Sequence, residues 1–302
     1  MLARRLGGLL LRVNGYPQEF LCLEVNALAG RFVWKLDDAE VDPTRILFFG
    51  YRPLILGLDH PGSPTPQFLQ LDLDGTAIAR IKLVPLKGHK QLSGIHLFGG
   101  RDPWQRFLPP WIAPLDRLRQ WLNARRSSNV PLARGEYDML RIAYAQPREI
   151  HLAVVGGPER CNIFPTDLHG PVGNDDYIIS LRHANAACAQ VMVQRDLLLC
   201  RMNLDRYRVV YGLARRHGAD VDQATRITSI NGSLAGHALP EGALSVMQLE
   251  LRDHADHGIH RLLRFSVKER IHVKDGPVLA HAHAGPLGLL KRRGPAPVVL
   301  TR

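Results

Sequence analysis

The stretch SVMQLELRDHADHGIHRLLRFSVKERIHV, Ser245–Val273, decides the predicted fold. Apolar and polar residues alternate through Ser245–Leu251 and again through Ile259–Val273, which is typical of strands that bury one face and expose the other. We predict two long strands joined by a hairpin loop at Asp253–Gly258. In the second strand, the predicted buried face carries Ile259, Leu263, Phe265, Val267, Ile271 and Val273, and the predicted solvent face carries His260, Arg264, Ser266, Lys268, Arg270 and His272.

The segments before this hairpin complete an α+β module that we predict to close into a small barrel, because closure removes exposed strand edges. Asn203 is a good N-cap, and Gly218 follows the helix that it would begin. The predicted elements are strands at Ile150–Val155, Tyr177–Leu181 and Leu197–Met202 and helices at Ala184–Gln194 and Leu204–Arg216.

The part of the chain before about residue 125 is strand-rich and punctuated by proline. Its short β-type runs are RFVWKL, RILFFGY and PLILGL, and Asp74-Gly75 between two further runs is the strongest hairpin signal. A helix is predicted from Pro114, and the polar stretch Ser127–Gly135 is the best candidate linker. We therefore predict a strand-rich N-terminal α+β domain of unknown role (1–126), a linker (127–136) and a mainly β barrel domain (137–302).

Composition disfavours several classes of protein. No apolar run approaches the roughly 18 to 20 residues that span a bilayer. The leucine-rich run Leu6–Leu11 is too short for a secretion signal, so we expect a strand at Leu9–Val13. The four cysteines form no CxxC pair, which argues against a cysteine zinc site and favours a reducing cytoplasm.

A net charge of +11 is typical of proteins that bind nucleic acid, but the arginines are scattered and aromatic residues are only 7% of the chain. We expect instead an anionic small ligand, such as a phosphate-bearing cofactor.

The segment CNIFPTDLHG, Cys161–Gly170, is the best candidate for a site, and we predict that it is a loop. Phe164, Pro165 and Leu168 offer apolar contact to a planar ring, while Asn162, Thr166 and His169 offer hydrogen bonds; these are the groups of a small-molecule pocket. Ser180, Arg182 and His183 end the next strand, and a guanidinium has the fork geometry that phosphate prefers. The alternative is an ordinary polar loop with a solvated Arg182.

From about residue 137 to 283 the sequence resembles the flavin reductase-like family of FMN-binding split barrels. The resemblance lies in LRIAYAQPREIHLAVV, NIFPTDLHG followed by YIISLR, HALPEGAL, and HGIHRLLRFSVKERIH. It implies a homodimer that passes electrons from NAD(P)H through FMN to a flavin or another acceptor. The predicted FMN contacts are Asn162, Phe164, Pro165, Thr166, His169, Ser180, Arg182 and His183.

The chain departs from this family at two places. Ile259 stands where the family has the aspartate of a Gly-Asp-His turn, which puts reductase activity in question. Residues 1–125 have no counterpart in the family, and could cap the pocket, form part of a dimer contact or bind a partner.

Other interpretations of the barrel domain stay open. The barrel could be a non-catalytic FMN- or haem-binding module. His254, His257 and His260 recur every three residues, but the strand pattern favours solvated turn histidines, so we assign no metal ligand. We assign no catalytic acid either, because a bound flavin would itself accept the hydride.

Overall fold

The computed structural model describes residues 20–58, 65–86, 95–114, 130–157, 160–214, 233–234 and 236–293, together with Asp116 and Leu118. The expected strand at Leu9–Val13, Gly218 and most of the helix expected from Pro114 lie outside these residues. In the described part of the chain, no helix is long and apolar enough to cross a membrane.

Nineteen strands and four α-helices are described. The strands are β1 (Phe20–Glu24), β2 (Val33–Leu36), β3 (Ala39–Val41), β4 (Ile46–Tyr51), β5 (Leu54–Leu58), β6 (Phe68–Leu73), β7 (Thr76–Pro85), β8 (His96–Gln105), β9 (Arg148–Glu149), β10 (His151–Gly157), β11 (Arg160–Thr166), β12 (His169–Val172), β13 (Asp176–Arg182), β14 (Asp196–Met202), β15 (Ser233–Leu234), β16 (His237–Ala238), β17 (Ala243–His257), β18 (His260–His272) and β19 (Leu279–His283). The helices are α1 (Arg134–Ala143), α2 (Ala186–Gln194), α3 (Tyr207–Ala214) and α4 (Ala284–Arg293).

The N-terminal strands form a seven-stranded sheet in the order β3-β2-β6-β7-β8-β5-β4. The three short β-type runs are strands, as predicted. Asp74 and Gly75 connect β6 to β7 with positive φ angles of 51° and 73°, so the predicted tight hairpin is confirmed.

The second half of the chain forms another seven-stranded antiparallel sheet, in the order β11-β10-β14-β17-β18-β13-β12, which curls into a split barrel. The predicted split-barrel fold, with a strand-rich region before it, is therefore confirmed. Asn203 accepts a hydrogen bond from the Asp205 amide at 3.0 Å, as an N-cap should, although the first turn, Leu204–Arg206, is a 3₁₀ helix.

The prediction that Cys161–Gly170 is a loop is wrong. Its first part belongs to β11, which pairs with β10, and its end begins β12. Pro165 lacks the amide hydrogen that a central strand would need, but β11 is the edge of the sheet and tolerates it.

The prediction of a loop at Asp253–Gly258 is also wrong. Strand β17 continues to His257, which pairs with His260, and only Gly258 and Ile259 form the turn. The assignment of His260 and Ser266 to a solvent face is wrong too, since they are 0% and 7% exposed.

The N-terminal sheet explains the burial of His260, because Tyr51 of that sheet lies against the start of β18. Lys268, Arg270 and His272 of the same predicted face are exposed. An apolar cluster joins the two sheets and contains Leu47, Phe49 and Ile55 on one side and Val172, Ile178 and Leu262 on the other. Gly170 lies at the contact, where a Cβ atom would come within 2.5 Å of a Leu47 methyl group.

The two halves of the chain also share a sheet. Strand β1 pairs with β19, which pairs with β9, so the order is β1-β19-β9. Helix α1 includes residues 134–136 of the expected linker, and its N-terminus is fixed by Glu136, which accepts from the Ala133 amide at 2.7 Å.

Candidate functional site

A pocket of about 240 Å³ lies where β11, the end of β13 and the start of α2 meet. Six of the eight residues predicted to contact a cofactor line it: Asn162, Phe164, Pro165, Thr166, Ser180 and Arg182. The structure therefore brings together residues from two predicted segments that are about 20 positions apart in the chain. Four further polar lining residues were not predicted, namely Tyr51, Asp167, Asn185 and His260.

Strand β11 forms one wall because its outer edge is not paired with another described strand. The Asn162 side-chain amide donates to Gln190 of α2, which ties the strand to that helix. Phe164 packs against the apolar cluster beneath the pocket, and Thr166 is buried. The wall thus presents a ring, a proline and two short polar side chains.

Arg182 supplies the positive charge of the pocket. It ends β13 and is half-buried, and it has no ion-pair partner among the described residues. Burial raises the pKa of the neighbouring Tyr51 hydroxyl, whereas the Arg182 guanidinium acts in the opposite direction. A guanidinium without a protein counter-ion is suited to an anionic group of a ligand.

The N-terminus of α2 adds to this positive potential. Asn185 caps the helix by accepting from the Ala187 amide at 3.0 Å, and both residues line the pocket. Helix N-termini carry partial positive charge and attract anions, so the helix and Arg182 act in the same sense.

His260 lines the pocket and is fully buried. Its Nε2 accepts from the Tyr51 backbone amide at 3.4 Å, and its Nδ1 lies 3.3 Å from the Ser180 hydroxyl oxygen. Burial, together with the nearby Arg182, lowers the His260 pKa to about 4. The ring is therefore neutral at pH 7 with its proton on Nδ1, and the proton of Ser180 is free to point at a ligand.

Asp167 lies at the back of the pocket in a buried hydrogen-bond network. It accepts from His281 Nε2 at 2.8 Å and from the Tyr144 hydroxyl, and the Tyr211 hydroxyl lies 2.9 Å from His281 Nδ1. Burial alone would raise its pKa, but these hydrogen bonds prevail and the pKa falls to about 2. Asp167 is therefore a fixed negative charge at neutral pH.

The other two predicted residues lie elsewhere. His169 contacts the Tyr177 hydroxyl at 2.7 Å and stacks on His151 at 4.2 Å, in a second cavity that Asp167 also lines. Burial lowers its pKa to about 3, so it is neutral. His183 is on the surface, where it lies 3.9 Å from Asp256.

The prediction that the turn histidines are solvated is also wrong for two of them. His257 is 2% exposed, and His260 is fully buried, because the N-terminal sheet covers the hairpin. Within the described ranges, no group of three or more histidine, cysteine or acidic residues could hold a metal ion.

Most of the site residues that we missed gave no local signal. Tyr51 comes from the N-terminal sheet, and its neighbour Arg52 accepts the Ile259 amide through its carbonyl at 3.2 Å. This contact between distant turns holds the Gly258-Ile259 turn beside the pocket. Only Asn185, an asparagine before an alanine-rich run, was recognisable as a helix cap.

No protein-family model matches the chain, and no curated protein matches its sequence. Solved structures do resemble half of it. An FMN-binding protein from Thermus thermophilus is 18% identical, with a TM-score of 0.41, over 49% of this chain and 80% of its own. BorF, the flavin reductase component of a bacterial two-component tryptophan halogenase, is 17% identical, with a TM-score of 0.44, over 49% and 94%.

The NADH:FAD oxidoreductase SgcE6 of Streptomyces globisporus is 13% identical, with a TM-score of 0.44, over 53% of this chain and 96% of its own. At such low similarity, function has to be argued from the site itself.

Proposed function

We propose that the chain is an FMN-binding flavoprotein of the flavin reductase type. In this proposal FMN occupies the pocket between β11, β13 and α2, and electrons pass from NAD(P)H through the flavin to a second flavin or another acceptor. The observation that carries the proposal is that Arg182, which has no ion-pair partner among the described residues, lines the same pocket as the N-terminus of α2.

The phosphate of FMN fits the Arg182 end of the pocket. Two sources of positive potential converge there, and no carboxylate lies within ion-pair distance of Arg182 among the described residues. Charge-assisted bonds from arginine to phosphate are strong and are often bidentate.

The flavin ring fits between the apolar side chains of β11 and the hydroxyl group of Ser180. Phe164 and Pro165 offer flat apolar contacts, and Ser180 has a hydroxyl proton available for a ring carbonyl, because His260 already donates to its oxygen. When bound, the ring would supply the hydride-accepting chemistry. The protein's own residues would bind it and fix its orientation.

A homodimer belongs to the same proposal. The volume of about 240 Å³ is below the roughly 300 to 1,000 Å³ of most ligand pockets. One chain would therefore enclose the cofactor only in part, and a second copy lying against the edge strand β11 would complete the enclosure. Light scattering should give twice the mass of the 33.8 kDa chain, and a monomer that still binds FMN would contradict this part.

The haem alternative finds less support at this pocket. His260 is the lining histidine, and both of its ring nitrogens already have partners within the protein. An axial ligand needs a free imidazole nitrogen. His169 lines the second cavity and not this pocket.

The absorption spectrum of the purified chain tests the proposal. We expect flavin bands, with FMN released into the supernatant on denaturation, and bleaching when NADH or NADPH is added without oxygen. A protein that stays colourless after incubation with excess FMN would refute flavin binding. Bound FMN that neither nucleotide reduces would support the non-catalytic module instead, and a Soret band would support haem.

A further inference from the structure

A second cavity, of about 670 Å³, shares the lining residue Asp167 with the candidate FMN pocket. One wall comes from the N-terminal region and includes Leu28, Trp34 and Ile46. The opposite wall comes from the barrel and includes Tyr177 of β13 and Pro171 of β12. Its volume falls within the range of small-molecule sites, and most of its walls are apolar.

Arg148 is the cation of this cavity that has no ion-pair partner among the described residues, and the nearby Asp167 carboxylate favours its charged form. Its Nε donates to the Ala143 carbonyl at 3.0 Å, and its guanidinium lies over the Phe48 ring at 5.2 Å from the centroid. The two terminal nitrogens make no hydrogen bond or ion pair with any described residue. Burial lowers the Arg148 pKa to about 10, so the group is still charged at pH 7.

The other charged groups around the cavity, and several neutral ones, already have partners within the protein. Glu149 accepts from Arg201 at 2.9 Å and from His151 at 2.9 Å. Gln146 accepts from the Trp34 indole nitrogen, and His169 is bonded to Tyr177. Arg148 is therefore the cation left for a ligand.

We infer that this second cavity binds a small organic monocarboxylate, whose carboxylate pairs with Arg148 and whose apolar body lies between Trp34 and Tyr177. A guanidinium with two free amino groups matches the two oxygens of a carboxylate. The charges of Arg201 and Glu149 offset each other, and Asp167 remains negative nearby, so a singly charged anion is favoured over a dianion. This inference does not rest on FMN binding.

The test uses the full-length protein and 2-naphthoate, with the neutral 2-naphthamide and the dianionic 2-naphthyl phosphate as matched probes. Binding is followed by isothermal titration calorimetry. We expect 2-naphthoate to bind with one site per chain and at least tenfold more tightly than either of the other two. Equal affinity for the acid and the amide would overturn the inference, and tighter binding of the phosphate would overturn the choice of a carboxylate.

Arg148→Gln should weaken 2-naphthoate at least tenfold and leave 2-naphthamide unchanged. Arg264→Gln is the control, because Arg264 pairs with Asp176 and does not line the cavity. If Arg148→Gln does not fold, a crystal of the wild-type protein with 6-bromo-2-naphthoate decides. An anomalous bromine peak between Trp34 and Tyr177 supports the site, and a peak only beside Arg182, or none, refutes it.

Binding of FMN by these variants separates the two sites. Arg148→Gln should keep the FMN affinity of the wild type, whereas Arg182→Ala should keep the affinity for 2-naphthoate. If both variants lose naphthoate binding, the probe occupies the candidate FMN pocket and the inference fails. If the protein binds 2-naphthoate but not FMN, the proposed function is refuted and the carboxylate site beside Arg148 is supported.

Discussion

At the scale of single residues, the site depends on where protons and charges are held. His260 is neutral because it is buried beside Arg182, and Asp167 is ionised because His281 and Tyr144 donate to it. Residue types at Arg182 and Ser180 could be recognised from the sequence. The protonation states of His260 and Asp167 could not be predicted, because each depends on partners that are distant in the chain.

The tautomer of His260 is a direct prediction. We expect a neutral ring with its proton on Nδ1 from pH 8 down to pH 5, since the pKa lies at about 4. Nitrogen-15 chemical shifts of labelled histidine across this range would test it. A titration centred near 6.5, or a proton on Nε2, would contradict the buried hydrogen bonds from Tyr51 and to Ser180.

Asp167→Asn should destabilise the fold by about 1–3 kcal/mol at pH 7, because the buried donors lose a charged acceptor. The folded pKa of about 2 is below the unfolded value, so the carboxylate stabilises the fold above pH 4. That contribution is lost as the pH falls through 2.

Urea unfolding of wild type and variant at pH 7 and pH 3 measures this effect. The stability gap between the two proteins should be smaller at pH 3. If the difference in unfolding free energy between the two proteins is the same at both pH values, the charge of Asp167 is not the cause of that difference.

At the scale of elements, local patterns predicted most strands but not their environment. The alternation of apolar and polar residues in β17 and β18 predicted their hairpin, and Asp74-Gly75 predicted the turn between β6 and β7. Both signals lie within a few neighbouring residues. Strand β11 was predicted as a loop because it contains Pro165, and proline is rare within strands. The strand can contain this proline because β11 lies at the edge of the sheet. The burial of His260 came from another sheet, which periodicity in β18 cannot reveal.

The contact between β4 and β12 should not tolerate a side chain at Gly170. In Gly170→Ala the new Cβ would meet the Leu47 methyl group at 2.5 Å, so we expect a loss of about 1–3 kcal/mol of unfolding free energy. Gly212→Ala is the control, because that helical position has open space. It should be neutral or stabilising by up to about 1 kcal/mol. Similar unfolding curves for the two variants would contradict the close packing of the sheets.

At the scale of the whole molecule, the N-terminal region and the barrel share their cores. One apolar cluster includes Leu21, Phe48 and Leu56 from the N-terminal region and Leu168 and Leu287 from the barrel half. The sequence predicted two regions of different texture, and their division into separate domains stays a prediction. It could not show that β1 pairs with β19, because such a pairing joins opposite ends of the chain.

The barrel segment alone, residues 137–302, should therefore fold poorly. Its removal from residues 1–136 exposes Leu262, Ile178 and Val172, which the N-terminal sheet covers. We expect aggregation or a broad thermal transition, against a single cooperative transition for the full chain. A 137–302 fragment that melts as sharply as the full chain would show that the two regions are independent domains.

The central claim is that Arg182 and the N-terminus of α2 hold the phosphate of FMN. Titration of FMN into the apoprotein, followed by quenching of flavin fluorescence, measures it most directly. We predict saturation at one FMN per chain, and a loss of about 1.5–3 kcal/mol for Arg182→Ala, which is roughly 10- to 150-fold in Kd. Arg261→Ala, a surface arginine paired with Asp256, should bind as the wild type does. Equal affinities for wild type and Arg182→Ala, or no binding by either, would contradict the claim.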